Sequence, residues 1–158
     1  MFDITISGRI KQKKKVEQFV RDCLHHYFGN RIKRRVDIDI DMVRELEDGQ
    51  VAGYCHGDKD QVNIELARHW SKDTRSNRIR HEYTLEDLVN TLAHEVVHAK
   101  QFIRGEITQR NNKWKHKNYQ FDCARTNYYN QPWEIEAYKS EDMLVELYWN
   151  KVWENEEA

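Results

Sequence analysis

Residues Leu85 to Arg104 are the stretch of this chain with the fewest structural alternatives. Leu85, Leu88, Val89, Leu92, Val96, Ala99 and Ile103 recur at helical spacing, which selects a core helix with one apolar face. Its ends are readable. Thr84 stands where an N-cap should, Asp87 follows three residues on as a capping-box partner, and Gly105 comes where a left-handed residue ends a helix. In the middle lies His94-Glu95-Val96-Val97-His98. Helix positions four apart sit one turn above each other, so both imidazoles reach one point while Glu95 projects beside them.

Two imidazoles and an adjacent carboxylate in this pattern point to a metal centre that activates water. Catalytic zinc takes three protein ligands, polarises a carbonyl and lowers the pKa of its water toward ~7, and a nearby carboxylate accepts the proton. That assigns His94 and His98 as ligands and Glu95 as the general base. The third ligand is sought in Gln131-Pro132-Trp133-Glu134-Ile135-Glu136-Ala137-Tyr138, which begins a second long helix. Pro132 fits its first position. From there to about Trp153 no further Gly or Pro intervenes, and Trp133, Ala137, Met143, Leu144, Leu147, Tyr148 and Val152 form an apolar stripe. Glu134 and Glu136 differ by about 200° of rotation on a helix, so only one can face the metal. Glu134 is preferred, because the small Ala137 on its face lets the two helices approach. Glu136 is the reserve.

The chain here resembles the gluzincin metallopeptidases, whose pattern is H-E-x-x-H on one helix and E-x-x-A on a second. His94, Glu95 and His98 match the first part, and Glu134 with Ala137 the second. Small phage-type zincin proteins are similar in outline. The resemblance implies one zinc ion per chain, held by His94, His98 and Glu134, and hydrolysis of peptide bonds in a peptide or protein substrate. Tyr138 stands where many members have an Asp that bonds a ligand histidine. Glu141 or Asp87 could take its place. An oxyanion donor besides the metal is usually a Tyr hydroxyl or a His, and Tyr128, Tyr129, Tyr138 and His116 are the candidates.

The expected fold class is α+β and zincin-like: a twisted, mostly antiparallel sheet packed on an N-terminal helix and the active-site helix, with a C-terminal helix carrying the third ligand. The elements support it. Phe2 to Ile6 reads as a strand, Gln12 to Phe28 as a helix, and Val36 to Val43, Val51 to Cys55 and Val62 to Leu66 as strands joined by hairpins. Zincin sheets commonly bind extended peptide along the edge beside the metal. The edge expected here is Val62, Asn63, Ile64, Glu65 and Leu66. Trp70 to Tyr83 is polar and basic and reads as a mobile loop. Thr108 to Tyr129 lacks clear periodicity and reads as a loop or hairpin walling the substrate site.

The whole of 1–158 is expected to be a single domain, with room for one core and a shallow cleft. Charged residues are 34% and hydrophobic ones 39%, so apolar side chains are concentrated in a few elements. No apolar run approaches the ~20 residues of a membrane span, and Met1-Phe2-Asp3-Ile4 opens no signal peptide. A soluble, cytoplasmic protein without membrane contact is expected. Cys23, Cys55 and Cys123 are widely spaced and odd in number, which argues against a disulfide framework or a structural zinc. Residues 1–35 hold ten Lys or Arg against three acidic residues, whereas 132–158 hold two against eight. The cluster of Lys11, Lys13, Lys14, Lys15, Arg31, Lys33, Arg34 and Arg35 could meet phosphates, but a run of charge is usually a solvated face. Nucleic acid is therefore the alternative partner. The alternative function is a catalytically silent zincin-like binding module that uses this basic part.

Overall fold

The computed structural model describes residues 1–110, 113–116, 119–122 and 131–154, with side chains over 1–107 and 131–154. In chain order the elements are β1 (Phe2–Ser7), α1 (Lys13–Phe28), β2 (Val36–Val43), β3 (Gly53–Gly57), β4 (Gln61–Ala67), β5 (His69–Asp73), β6 (Arg78–Glu82), α2 (Leu85–Ile103), β7 (Ile107–Arg110), β8 (Lys113–His116), β9 (Tyr119–Asp122), α3 (Pro132–Leu144) and α4 (Asn150–Glu154). The class is α+β.

Period-two alternation decides which side of the main sheet is covered. Val36, Ile38, Ile40 and Met42 of β2 and Val62, Ile64 and Leu66 of β4 are buried, while Asp37, Asp39, Asn63 and Glu65 between them are only partly covered and Asp41 is exposed. The apolar face lies under Val16, Phe19, Val20, Cys23 and Leu24 of α1 and under the apolar stripe of α2, in one shared core. This is the two-layer solution for burying one face of a sheet.

The strand order is β1-β2-β4-β3. β1 pairs parallel with β2, β2 pairs parallel with β4, and only β3 with β4 is antiparallel. The main sheet is thus mixed rather than mostly antiparallel, and the one hairpin in it joins β3 to β4. The cause is connectivity: the 16-residue α1 returns the chain to the end at which β1 began, and a helical crossover between neighbouring strands leaves them parallel. Antiparallel pairing rules the smaller sheets, β5-β6 and β7-β8-β9. Val62 to Leu66 lies in β4, between β2 and β3, and is not an edge; the edge beside α2 is β3.

Trp70 to Tyr83 contains the β5-β6 ribbon rather than a loop. Its strands are mostly exposed, so no apolar alternation marks them. Other contacts hold them: Trp70 stacks on His81 with ring centroids 4.2 Å apart, Thr74 and Asn77 close the turn, and Glu45 pairs with Arg80 at 2.7 Å. Thr108 to Tyr129 supplies β8, β9 and most of β7, a three-stranded meander.

Helix α2 begins as expected. The Thr84 hydroxyl accepts from Asp87 N–H and the Asp87 carboxylate accepts from Thr84 N–H, a reciprocal cap worth about 1 kcal/mol. It ends at Gly105, whose φ of 71° suits glycine. Gly105 N–H donates to Phe102 O and Glu106 N–H to Gln101 O, the paired bonds of a Schellman turn. Pro132 opens α3. The long C-terminal helix continues through a π turn at Val145–Trp149 into α4. That turn moves the buried stripe from Leu144 to Trp149, five residues on, so Leu147 is exposed.

Candidate metal centre

The apolar face of α2 packs on the sheet and α1, and its next face carries His94, Glu95 and His98 against α3. All three are buried. Ala137, fully buried, allows α3 to lie close, and Glu134 one turn earlier reaches across. His94 Nε2 is 3.0 Å from Glu134 Oε2, and His98 Nε2 is 2.8 Å from Glu134 Oε1. One ligand atom from each of the three residues lies within 4.8 Å of the others, and among the described residues they form a group that could hold a metal ion.

The other nitrogen of each imidazole is already committed. His94 Nδ1 meets Glu141 Oε2 at 2.8 Å. Glu141 therefore fills the place left by Tyr138, whereas Asp87 is used in the helix cap. His98 Nδ1 meets Gln101 Oε1 at 2.8 Å, and the Gln101 amide donates to Trp133 O at 3.0 Å and to Glu136 at 3.2 Å. Both partners of that NH2 only accept, so the Gln101 oxygen must face His98. A proton on Nδ1 follows in each ring, so each neutral ring directs its Nε2 lone pair toward the space beside Glu134 and each protonated ring donates from Nε2 to that carboxylate. Two imidazole nitrogens and one carboxylate, buried and pre-oriented, are a donor set that could hold a metal ion such as zinc.

Electrostatics express the crowding of acids. Burial pulls the His94 imidazole down, but its bond to Glu134 and the charges of Glu95 and Glu134 outweigh this and raise its pKa to about 8. His98 moves the same way for the same reasons. Burial raises the Glu95 carboxyl to about 7, against the pull of His98 and His94.

Glu95 and His94 open into a cleft of about 380 Å³, walled by Gln50 to Gly53 before and within β3, by Asn90 and Thr91 of α2, and by Tyr138 and Glu141 of α3. Gly53 is required by proximity: a Cβ there would lie 2.9 Å from Thr91 Cγ2 and 3.2 Å from Glu65 O. The edge strand thus abuts the metal-centre helix.

The remaining site candidates separate clearly. Glu136 turns from the cluster and bonds Lys100 and Gln101. Tyr138 is half exposed, its ring centroid 4.5 Å from that of His94. Tyr128, Tyr129 and the His116 side chain lie outside the described residues. Val62, Ile64 and Leu66 are buried in β4 beneath α2, with Asn63 and Glu65 on the opposite face. Gln101 was not anticipated. Its signal in the sequence is weak, a side-chain amide three positions after His98, and the fold buries it fully. The wall from Gln50 to Gly53 had no local signal. In the N-terminal basic cluster, Arg31 bonds the carbonyls ending α1, Arg34 pairs with Asp60 and bonds Ile103 O, and Arg35 pairs with Asp3 and Asp37. Lys11, Lys13 and Lys14 are exposed.

A family model described as SprT-like matches residues 16–139, which includes both helices of the centre. The chain belongs to the SprT-like family. This is a zincin-like metallopeptidase family, consistent with the cluster of His94, His98 and Glu134. No curated protein and no solved structure matches the chain. Among the described residues, no helix of this SprT-like chain is long and apolar enough to cross a membrane.

Proposed function

We propose that the chain is a zinc-dependent metallopeptidase of gluzincin type, with one zinc ion held by His94, His98 and Glu134 and with Glu95 as general base. The observation that carries this is the convergence of two imidazole Nε2 atoms and one buried carboxylate, with both Nδ1 atoms committed elsewhere. Zinc in that set would polarise the scissile carbonyl and make a water acidic enough to lose a proton near neutrality.

Glu95 follows His94 directly, borders the cleft, and has a carboxyl shifted by burial to about 7. A carboxylate at that place would take the proton from the attacking water and return it to the leaving amine. Tyr138 stands in the cleft beside His94, where its hydroxyl would donate to the carbonyl oxygen as charge builds there. The β3 edge is the proposed substrate rail. An extended segment pairing along it would pass the opening between Gly53 and Glu95, and the bond cut would be internal, making the enzyme an endopeptidase.

Glu95→Gln tests the mechanism, since it keeps size and leaves all three ligands in place. The variant should bind zinc as the parent does and lose about 10²–10⁴-fold in peptide hydrolysis on a peptide library. Equal activity would refute the assignment. Stoichiometric zinc without turnover in the parent would instead favour the silent binding module.

A further inference from the structure

We propose that Lys100 is a positioning residue for the metal centre, acting through Glu136 and Gln101 to hold the His98 imidazole in its ligating orientation. The inference rests on the reading of His98 as a ligand. Lys100 is 5% exposed, an unusual state for a lysine unless it is paired. Its ammonium contacts Glu136 Oε1 and lies 2.9 Å from Glu106 Oε2, and the Tyr27 ring centroid is 5.5 Å away. Glu106 is brought there by the Schellman turn at Gly105, which reverses the chain directly after α2.

The same oxygen of Glu136 that meets Lys100 accepts from Gln101 Nε2. The connected path is therefore Lys100, Glu136, Gln101 and the Nδ1 of His98, with Trp133 O as a second acceptor for the Gln101 amide. Each contact has one direction. The ammonium only donates, the carboxylate accepts from both neighbours, and the Gln101 amide must then present its oxygen to His98. With methionine at position 100, Glu136 and Glu106 would be two carboxylates near one cavity with no cation between them. Repulsion would move Glu136 off Gln101 and leave Trp133 O alone to hold the amide, so the His98 ring would sample orientations that do not ligate. His94 is held independently through Glu141 on α3, so it serves as an internal control.

The test measures zinc affinity by chelator competition, and the Nδ1 proton resonances of His98 and His94 in the zinc-loaded protein, for the parent, Lys100→Met and Glu136→Gln. Outer-shell partners of metal ligands typically contribute about 10–100-fold in affinity. Lys100→Met is expected to weaken zinc binding by about that factor and to broaden the His98 Nδ1 proton while that of His94 persists. Glu136→Gln, which retains a polar group at a partly exposed position, should show the same pattern with a smaller loss and covers the case in which Lys100→Met fails to fold. Unchanged affinity and resonances in a folded variant, or equal loss at both histidines, would overturn the inference while the parent still binds zinc and cleaves. A parent that takes up no zinc would overturn the reading of the site and this inference together.

Discussion

Glu141 is seven residues beyond Glu134 on α3, two turns along the same face, and its contact with His94 Nδ1 is the one the motif alone does not dictate. Replacing it isolates the value of orienting one ligand. The distance is 2.8 Å and the Glu141 side chain is 24% exposed. A hydrogen bond to a charged group contributes about 1.5–3 kcal/mol, and partial exposure places this one in the lower half, because water can take over the Nδ1 proton once the carboxylate is gone. About 1.5–2 kcal/mol corresponds to a loss of about 10–30-fold in zinc affinity for Glu141→Ala. Glu141→Gln keeps an acceptor but loses the charge, and a neutral bond is about half as strong, so the loss should be about three- to fivefold. Chelator-competition titration at one pH and ionic strength measures both, with circular dichroism establishing the fold. The expected order of affinity is parent, Glu141→Gln, Glu141→Ala. If alanine binds zinc as tightly as the parent, or the glutamine variant is the weaker of the two, Glu141 does not orient His94 and the reasoning fails.

The zinc-free protein should lose stability as pH rises from about 4.5 to 8: Glu95, with its folded pKa raised to about 7, binds more protons folded than unfolded between 4.5 and 7, and His94, raised to about 8, does so between 6.5 and 8. Thermal unfolding in chelator across that window should therefore show a falling midpoint, while zinc affinity should rise with pH because the ion competes with those protons; a rising midpoint in chelator would contradict the electrostatics. Gly53→Ala should cost about 1–3 kcal/mol through its contacts with Thr91 Cγ2 and Glu65 O. Thr91→Ser removes that methyl and should return at least about 0.5 kcal/mol in a double-mutant cycle by urea unfolding, so strict additivity would exclude the proposed clash. Ala137→Leu adds three carbons at a fully buried position one turn from Glu134 on α3, and calorimetry should register about 1–3 kcal/mol of overpacking together with weakened zinc binding; undiminished zinc affinity would mean that α3 need not lie close for Glu134 to reach.

What could be read without coordinates follows the range of the interactions involved. The cap at Thr84, the turn at Gly105, the placing of His94 one turn from His98 and the choice of Glu134 over Glu136 depend on neighbours within a turn or two, and these are legible in the sequence. Strand direction is not. The alternation of Val36 to Val43 is the same in a parallel or an antiparallel ladder, and only the crossover through α1 and the insertion of β4 between β2 and β3 decide it. That Val62 to Leu66 is interior and not a sheet edge is hidden for the same reason, since strand order is a property of the whole sheet. The β5-β6 ribbon escaped because its strands have no apolar face to alternate, and the π turn because one extra residue shifts a stripe without changing its composition. Gln101 and Lys100 lie between these cases. Lys100 and Gln101 are buried by the fold and therefore need polar partners, but the sequence does not mark them as buried. It does not say where those partners are, and that information resides in the docking of α3, which brings Trp133 O and Glu136 to Gln101 through the same approach that brings Glu134 to the histidines. The metal centre and its outer support thus depend on one helix-helix contact, and a substitution that shifts α3 should loosen both at once.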